Sequence, residues 1–181
     1  MTVNHVTYNP FPNYNNTKTN NELQQLVKQI GNNVKLPDET RNFATYDTKL
    51  ADKIISHKQD GLVAVGKFLS TANTEKQIVE GLFIVDRMIE ADVKGAEKLY
   101  PVLSRFNNTT SPTAQSLLAG IYRKTQVPDA FGPLMKMMIR NSLLPQCPYF
   151  DPTEEIGGAI LDYVRAKGAV HTYSKKTLVN N

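Results

Sequence analysis

"SPTAQSLLAGIYRKTQVPDAFGPLMKMMIRN", residues 111–141, contains two amphipathic runs separated by a break at Val127-Pro128. Ser111 followed by Pro112 is helix-start grammar: a side-chain oxygen for the first free N–H groups, then a proline where its missing N–H costs nothing. Ala114, Leu117, Leu118 and Ile121 then fall on one helical face, and the spacing predicts a helix over 112–124. Leu134, Met135, Met138 and Ile139 do the same over 130–143. Pro133 would break a helix interior, but it is tolerated in the first turn of a helix opening near Asp129. The stretch is therefore a helical hairpin, and whether it recurs along the chain decides the fold.

It does recur. "DGLVAVGKFL" from Asp60, "DVKGAEKLYPVL" from Asp92 and "DAFGPLMKMM" from Asp129 each open on Asp and continue with apolar residues at helical spacing. They begin about 32 and 37 residues apart, within the period range of helical arrays. Each follows another helical run, at 47–57, 74–91 and 112–124. This pattern over residues 47–143 resembles the HEAT and armadillo repeats, whose second helix often begins near an Asp. The resemblance implies an α-solenoid of stacked antiparallel hairpins; an irregular helical bundle is the other architecture the pattern allows. One hairpin cannot bury both its faces, so neighbours must stack into a shared core. Gly66, Gly81, Gly95, Gly120 and Gly132 would each cost roughly 1 kcal/mol inside a helix, which points to close helix approach. Pro101 is expected to bend or end the helix of residues 93–105.

The remaining chain fits an all-α fold. Leu23, Leu26, Val27 and Ile30 predict a helix closed by Gly31, and residues 153–167 predict a last one, with Asp151-Pro152 at its start and Glu154 placed for a capping box. No stretch alternates like a paired strand. Residues 1–20, rich in Asn, Pro, Tyr and Thr, read as an extended or disordered arm. Residues 21–167 read as one helical domain and 168–181, with Lys175 and Lys176, as a flexible basic tail.

Composition narrows the chemistry. With 40% hydrophobic and 21% charged residues the chain has a soluble globular balance. The start lacks the basic flank and apolar run of a secretory signal, no run spans a membrane, and a cytoplasmic protein is expected. Cys147 is the only cysteine, so neither an intrachain disulfide nor a thiolate metal cage can form. His5, His57 and His171 lie far apart without ligand spacing, so no metal is expected. "GKFLST" and "EEIGGAILD" lack the context of a phosphate loop, and no cofactor is expected. Asp86 and Glu90 share a helix face, and with Glu80 they read as an outer salt-laced surface rather than a catalytic pair. "NPF" at Asn9–Phe11 resembles the tripeptide bound by EH domains, and Asn15, Asn107 and Asn108 begin sequons.

The sequence thus predicts a non-enzymatic helical module that binds another protein. Tyr122, Arg123, Lys124, Lys136 and Arg140 are its candidate partner-binding residues, because Asp129 is the only acid between 107 and 144. The same basic face, with Tyr122 as a stacking platform, would suit nucleic acid instead. A third reading is an all-α enzyme using Asp151, Glu155 and His57.

Overall fold

The computed structural model describes residues 17–143 and 150–178, with side chains over 21–143 and 150–167. The arm up to Asn16 with its NPF tripeptide, His5 and the Asn15 sequon, Cys147, and the side chain of His171 lie outside the described residues.

Eight α-helices follow one another, with no strand among the described residues. α1 (Thr17–Val27) is followed by a connector that ends at Asp47. α2 (Thr48–Ser56), α3 (Lys58–Leu69) and α4 (Glu75–Glu90) come next. A single α-turn, α5 (Tyr100–Leu103), precedes α6 (Pro112–Thr125), α7 (Phe131–Leu143) and α8 (Thr153–Leu178). α4 packs on α2 and α3 on one side and on α6 on the other, and α8 in turn packs on α6 and α7. α1 closes the opposite end against α2 and α3. One continuous apolar core runs through all of them, from Leu23 to Tyr163.

The helix starts obey local chemistry. Thr74 caps α4 in a full capping box with Gln77, Ser111 accepts from the Ala114 N–H, and Asp47 accepts from the Leu50 N–H. At α8, Asp151 Oδ1 accepts from the Thr153 N–H at 2.9 Å, so its bond is to the second residue on and Glu154 makes no box with it.

Four expectations are revised. The helix over 93–105 is not continuous: 3₁₀ turns at Ala96–Leu99 and Ser104–Phe106 flank α5, and Pro101 sits in that single turn. Pro101 has no N–H to offer an α-helical ladder, and the segment divides into short turns around it. α8 does not stop at 167 before a tail; its backbone stays helical to Leu178. The glycines play different parts. Gly81 lies where a Cβ would come within 2.6 Å of Leu69 Cδ2, so α3 and α4 meet there, whereas nothing lies within 4 Å of a Cβ at Gly132. Gly95 is not in a helix interior but in a left-handed turn, φ 92°. The three aspartates are not equivalent either: Asp60 is in the first turn of α3, Asp92 has φ 58°, and Asp129 is in the 3₁₀ turn Pro128–Ala130.

Glu80 is a further revision. It is 1% exposed, not on an outer face. One carboxyl oxygen accepts the N–H of Gly31, and the other accepts the N–H of Asp47 at 3.1 Å. Both ends of the connector are thereby tied to the middle of α4. Within it Lys35 and Thr45 exchange backbone bonds and Tyr46 stacks on Phe83, ring centres 3.8 Å apart. Burial, with Asp86 and Glu80 nearby, pushes the Tyr46 phenol up to about 12.

Glu80→Ala leaves two backbone N–H groups without their acceptor, and is expected to cost about 3 kcal/mol in urea unfolding. Glu80→Gln keeps one acceptor oxygen and should cost less. A loss below about 0.5 kcal/mol for the alanine variant would show that water replaces the carboxyl there.

Candidate interaction surface

The five basic-face residues separate once the helices pack. Tyr122 lies on the inward side of α6 and is 0% exposed. Its hydroxyl donates to Asn107 Oδ1 at 2.8 Å, its ring tilts against Tyr100 at 5.7 Å, and burial drives its pKa upward. It cannot stack on a base or touch a partner, because the offset that places Ala114, Leu118 and Ile121 inside carries Tyr122 with them. Arg140 is half-buried, its guanidinium donating to the carbonyls of Thr109 and Asn107 at 3.2 and 3.4 Å. It closes the loop before α6 and is a structural residue.

Arg123 and Lys124 do reach the surface, but each is already paired. Lys124 Nζ lies 2.8 Å from Asp86 and 3.0 Å from Glu90, both on α4. Arg123 Nε lies 2.6 Å from Asp162, and its Nη1 lies 3.5 Å from Glu155, both on α8. α6 thus spreads one cation to each neighbour across an open groove of about 560 Å³, lined by Asp86, Gly120, Glu155 and Asp162 among others. Burial raises the pKa of Asp86, against the pull of Lys124; Asp162 and Glu155 raise that of Arg123. The groove's charges satisfy one another, a lattice that joins three helices. Lys136 is exposed and has no ion-pair partner among the described residues.

The dispersed enzyme residues do not converge. His57 stands at the corner between α2 and α3, while Asp151 and Glu155 begin α8, which lies against α6 and α7. A second groove of about 350 Å³ contains Glu75 as its one ionisable lining residue. Among the described residues, no group of three or more His, Cys, Asp or Glu is placed to hold a metal ion. None of the helices searched is long and apolar enough to cross a membrane.

The conspicuous surface feature is apolar. Ile139, Leu161 and Val164 are each more than half exposed, Met135 is partly open, and Leu143 is 80% exposed. Met135 and Ile139 were expected in the core. Instead Leu134 and Met137 fill the core from α7, and Ile156, Ala159 and Tyr163 fill it from α8. The signal was in the sequence: apolar residues at 134, 135, 137, 138, 139 and 143 cover more of a helix circumference than one contact face can hide.

Contacts place these side chains relative to each other. Phe131 tilts against Tyr163, ring centres 5.8 Å apart, whereas Met138 Cε lies 3.2 Å from a Cβ built on Gly157, so α7 and α8 run antiparallel. Arg140 and Asn141 occupy the flank of α7 turned to residues 107–115, which leaves Met135 and Ile139 on the α8 flank beside Met138. On α8, Gly158 and Asp162 meet Arg123, which leaves Leu161 and Val164 on the Gly157 flank toward α7. The exposed apolar side chains of α7 and α8 therefore lie on the flanks by which the two helices adjoin.

No family model, curated protein or solved structure matches the chain.

Lys124→Met would strand Asp86 with less compensation and raise its pKa further. A carboxyl whose folded pKa exceeds its unfolded value binds its proton better when folded, so stability falls as pH rises through the folded pKa. The variant should match the wild type below about pH 4 and fall behind by about 1–2 kcal/mol at pH 7 in chemical denaturation. A deficit independent of pH would assign the Lys124 contribution to packing of its aliphatic stem.

Proposed function

We propose that this chain is a non-enzymatic protein-binding module, a stack of helical hairpins in the manner of HEAT and armadillo repeats, and that it holds its partner against the exposed apolar side chains of α7 and α8. The repeat reading draws support from the succession α2, α4, α6, α8, each packed on the next, with α3 packed against α2 and α4 and α7 against α8. The observation that carries the binding reading is the row of exposed apolar side chains on α7 and α8. A contiguous exposed apolar patch marks an interaction surface. Here Ile139, Leu143, Leu161 and Val164 stand open, a cost in solubility that a bound partner removes.

A protein fits this surface better than a nucleic acid. Phosphate recognition needs several uncommitted cations. Arg123 and Lys124 are each held between two carboxylates and Arg140 is turned onto backbone carbonyls, which leaves Lys136 as the one of these four cations without a partner among the described residues. The enzyme reading draws no support from the separation of His57 from Asp151 and Glu155.

The double variant Ile139→Asp/Leu161→Asp tests this surface. Both side chains already face solvent, so unfolding stability should change by less than about 1 kcal/mol. Fluorescence of an apolar surface dye should drop, and a protein cross-linked to the wild type in its source cells should be lost. If wild type and variant retain the same partners, docking occurs elsewhere.

A further inference from the structure

Three of the chain's five methionines stand close together on α7, at 135, 137 and 138. Consecutive side chains leave a helix about 100° apart, so the three thioethers meet three different surroundings. Met137 is 0% exposed in the core. Met138 is half-buried, with its Cε 3.2 Å from a Cβ built on Gly157 of α8. Met135 is 38% exposed. Met88 on α4, the other methionine among the described residues, is as fully buried as Met137.

Met135 opens a row. Ile139 and Leu143 follow it at intervals of four, the spacing of neighbours on one helix face, and both stand more open still. Ile139, Leu143, Leu161 and Val164 carry only hydrocarbon, which dilute peroxide leaves unchanged. The thioether of Met135 is therefore the one oxidisable group in this exposed apolar set. Its place outside the core matters as well. An oxygen added at Met137 would set an unpaired dipole among buried side chains, whereas at Met135 water is at hand to hydrogen-bond it. The fold thus puts one atom of changeable polarity on the apolar surface, where changing it leaves the packing alone.

Resting for its consequence on the docking reading above, we propose that Met135 is a reversible oxidation site that controls the apolar surface of α7 and α8. Hydrogen peroxide is the oxidant. A sulfur lone pair takes one peroxide oxygen, the S–O bond forms as the O–O bond breaks, and the other oxygen leaves as water after a proton shift. Sulfur loses two electrons and the peroxide gains them. Methionine sulfoxide reductases reverse the change: two thiols close to a disulfide, and the oxygen leaves as water. The sulfoxide turns a pliable apolar contact into a polar one, so a partner seated on the Met135–Ile139 row is held less tightly.

For the test, the folded full chain is treated with dilute hydrogen peroxide, quenched at intervals and mapped by peptide mass spectrometry. Met135 should gain its oxygen about tenfold faster than Met88 and Met137, or more, and the gap should close in urea. A Met135 rate no higher than those of the buried pair would remove the site. Once Met135 is oxidised, the urea midpoint should be unchanged, while fluorescence of an apolar surface dye falls and returns on incubation with the reductases. A lowered midpoint would show that oxidation disturbs packing, against the proposal. Met135→Leu keeps the row apolar without sulfur, and its dye fluorescence should not respond to peroxide. An equal fall in that variant would place the effect at another group and overturn the control of this surface. Peroxide should also release the protein that cross-links to the wild type, and should not release it from Met135→Leu. Release from neither would sink the regulatory inference alone. The docking reading fails separately, when Ile139→Asp/Leu161→Asp retains that protein.

Discussion

The carboxyl of Glu80, buried in the middle of α4, joins the first third of the chain to the rest. It accepts one backbone N–H from Gly31, just past α1, and one from Asp47, the residue that caps α2. Asp47 in turn takes the Asn33 side chain at 2.8 Å, so the connector is bonded at its two ends and across its middle. A polar group in an apolar interior is tolerated only when its bonds are complete. Here that requirement becomes a registration device: α1 can rest on α2 and α3 only if the loop returns to α4 at those two points. The stacked rings of Tyr46 and Phe83 cover the site from one side.

Farther along the stack, charge takes over the same task in a more exposed setting. Lys124 and Arg123 are neighbours in sequence, and on α6 they point to different helices, one to Asp86 and Glu90, the other to Glu155 and Asp162. Individually such exposed pairs contribute little. Together they hold α4, α6 and α8 in one lateral register and satisfy the cations that would otherwise define a basic face. Burial on the other side of α6 completes the arrangement, because Tyr122 bonds Asn107 and the Tyr163 hydroxyl donates to the Val127 carbonyl at 2.7 Å. The charges across α4, α6 and α8 are therefore matched, and the exposed apolar side chains lie on α7 and α8.

Much of the architecture was legible because it rests on local rules. The cap at Ser111 and the glycine after α1 need only a few residues of context, and helices appear where those signals stand. The 93–105 segment was harder: its apolar spacing is helical, and only the accumulated effect of the Gly95 turn and Pro101 divides it. The candidate site was read less well. A cluster of cations in sequence looks like a basic surface, yet whether a cation is free depends on carboxylates 32 to 39 residues away, which sequence spacing does not pair. The same holds for α7, where too many apolar residues compete for one buried face and the neighbours choose Leu134 and Met137 over Met135 and Ile139.

What the amino-acid order settled by itself was the helical class and most of the breaks between helices, since these follow from spacing within a turn or two. What only the packing decided was which side of each helix is inside and which charges cancel. A helix face of 3.6-residue period is defined up to a rotation, and that rotation is set by the helices it meets. A modest turn of α7 or α6 about its axis would have buried Ile139 and freed Lys124. The core and the ion pairs across α4, α6 and α8 hold both helices at the angle that does neither.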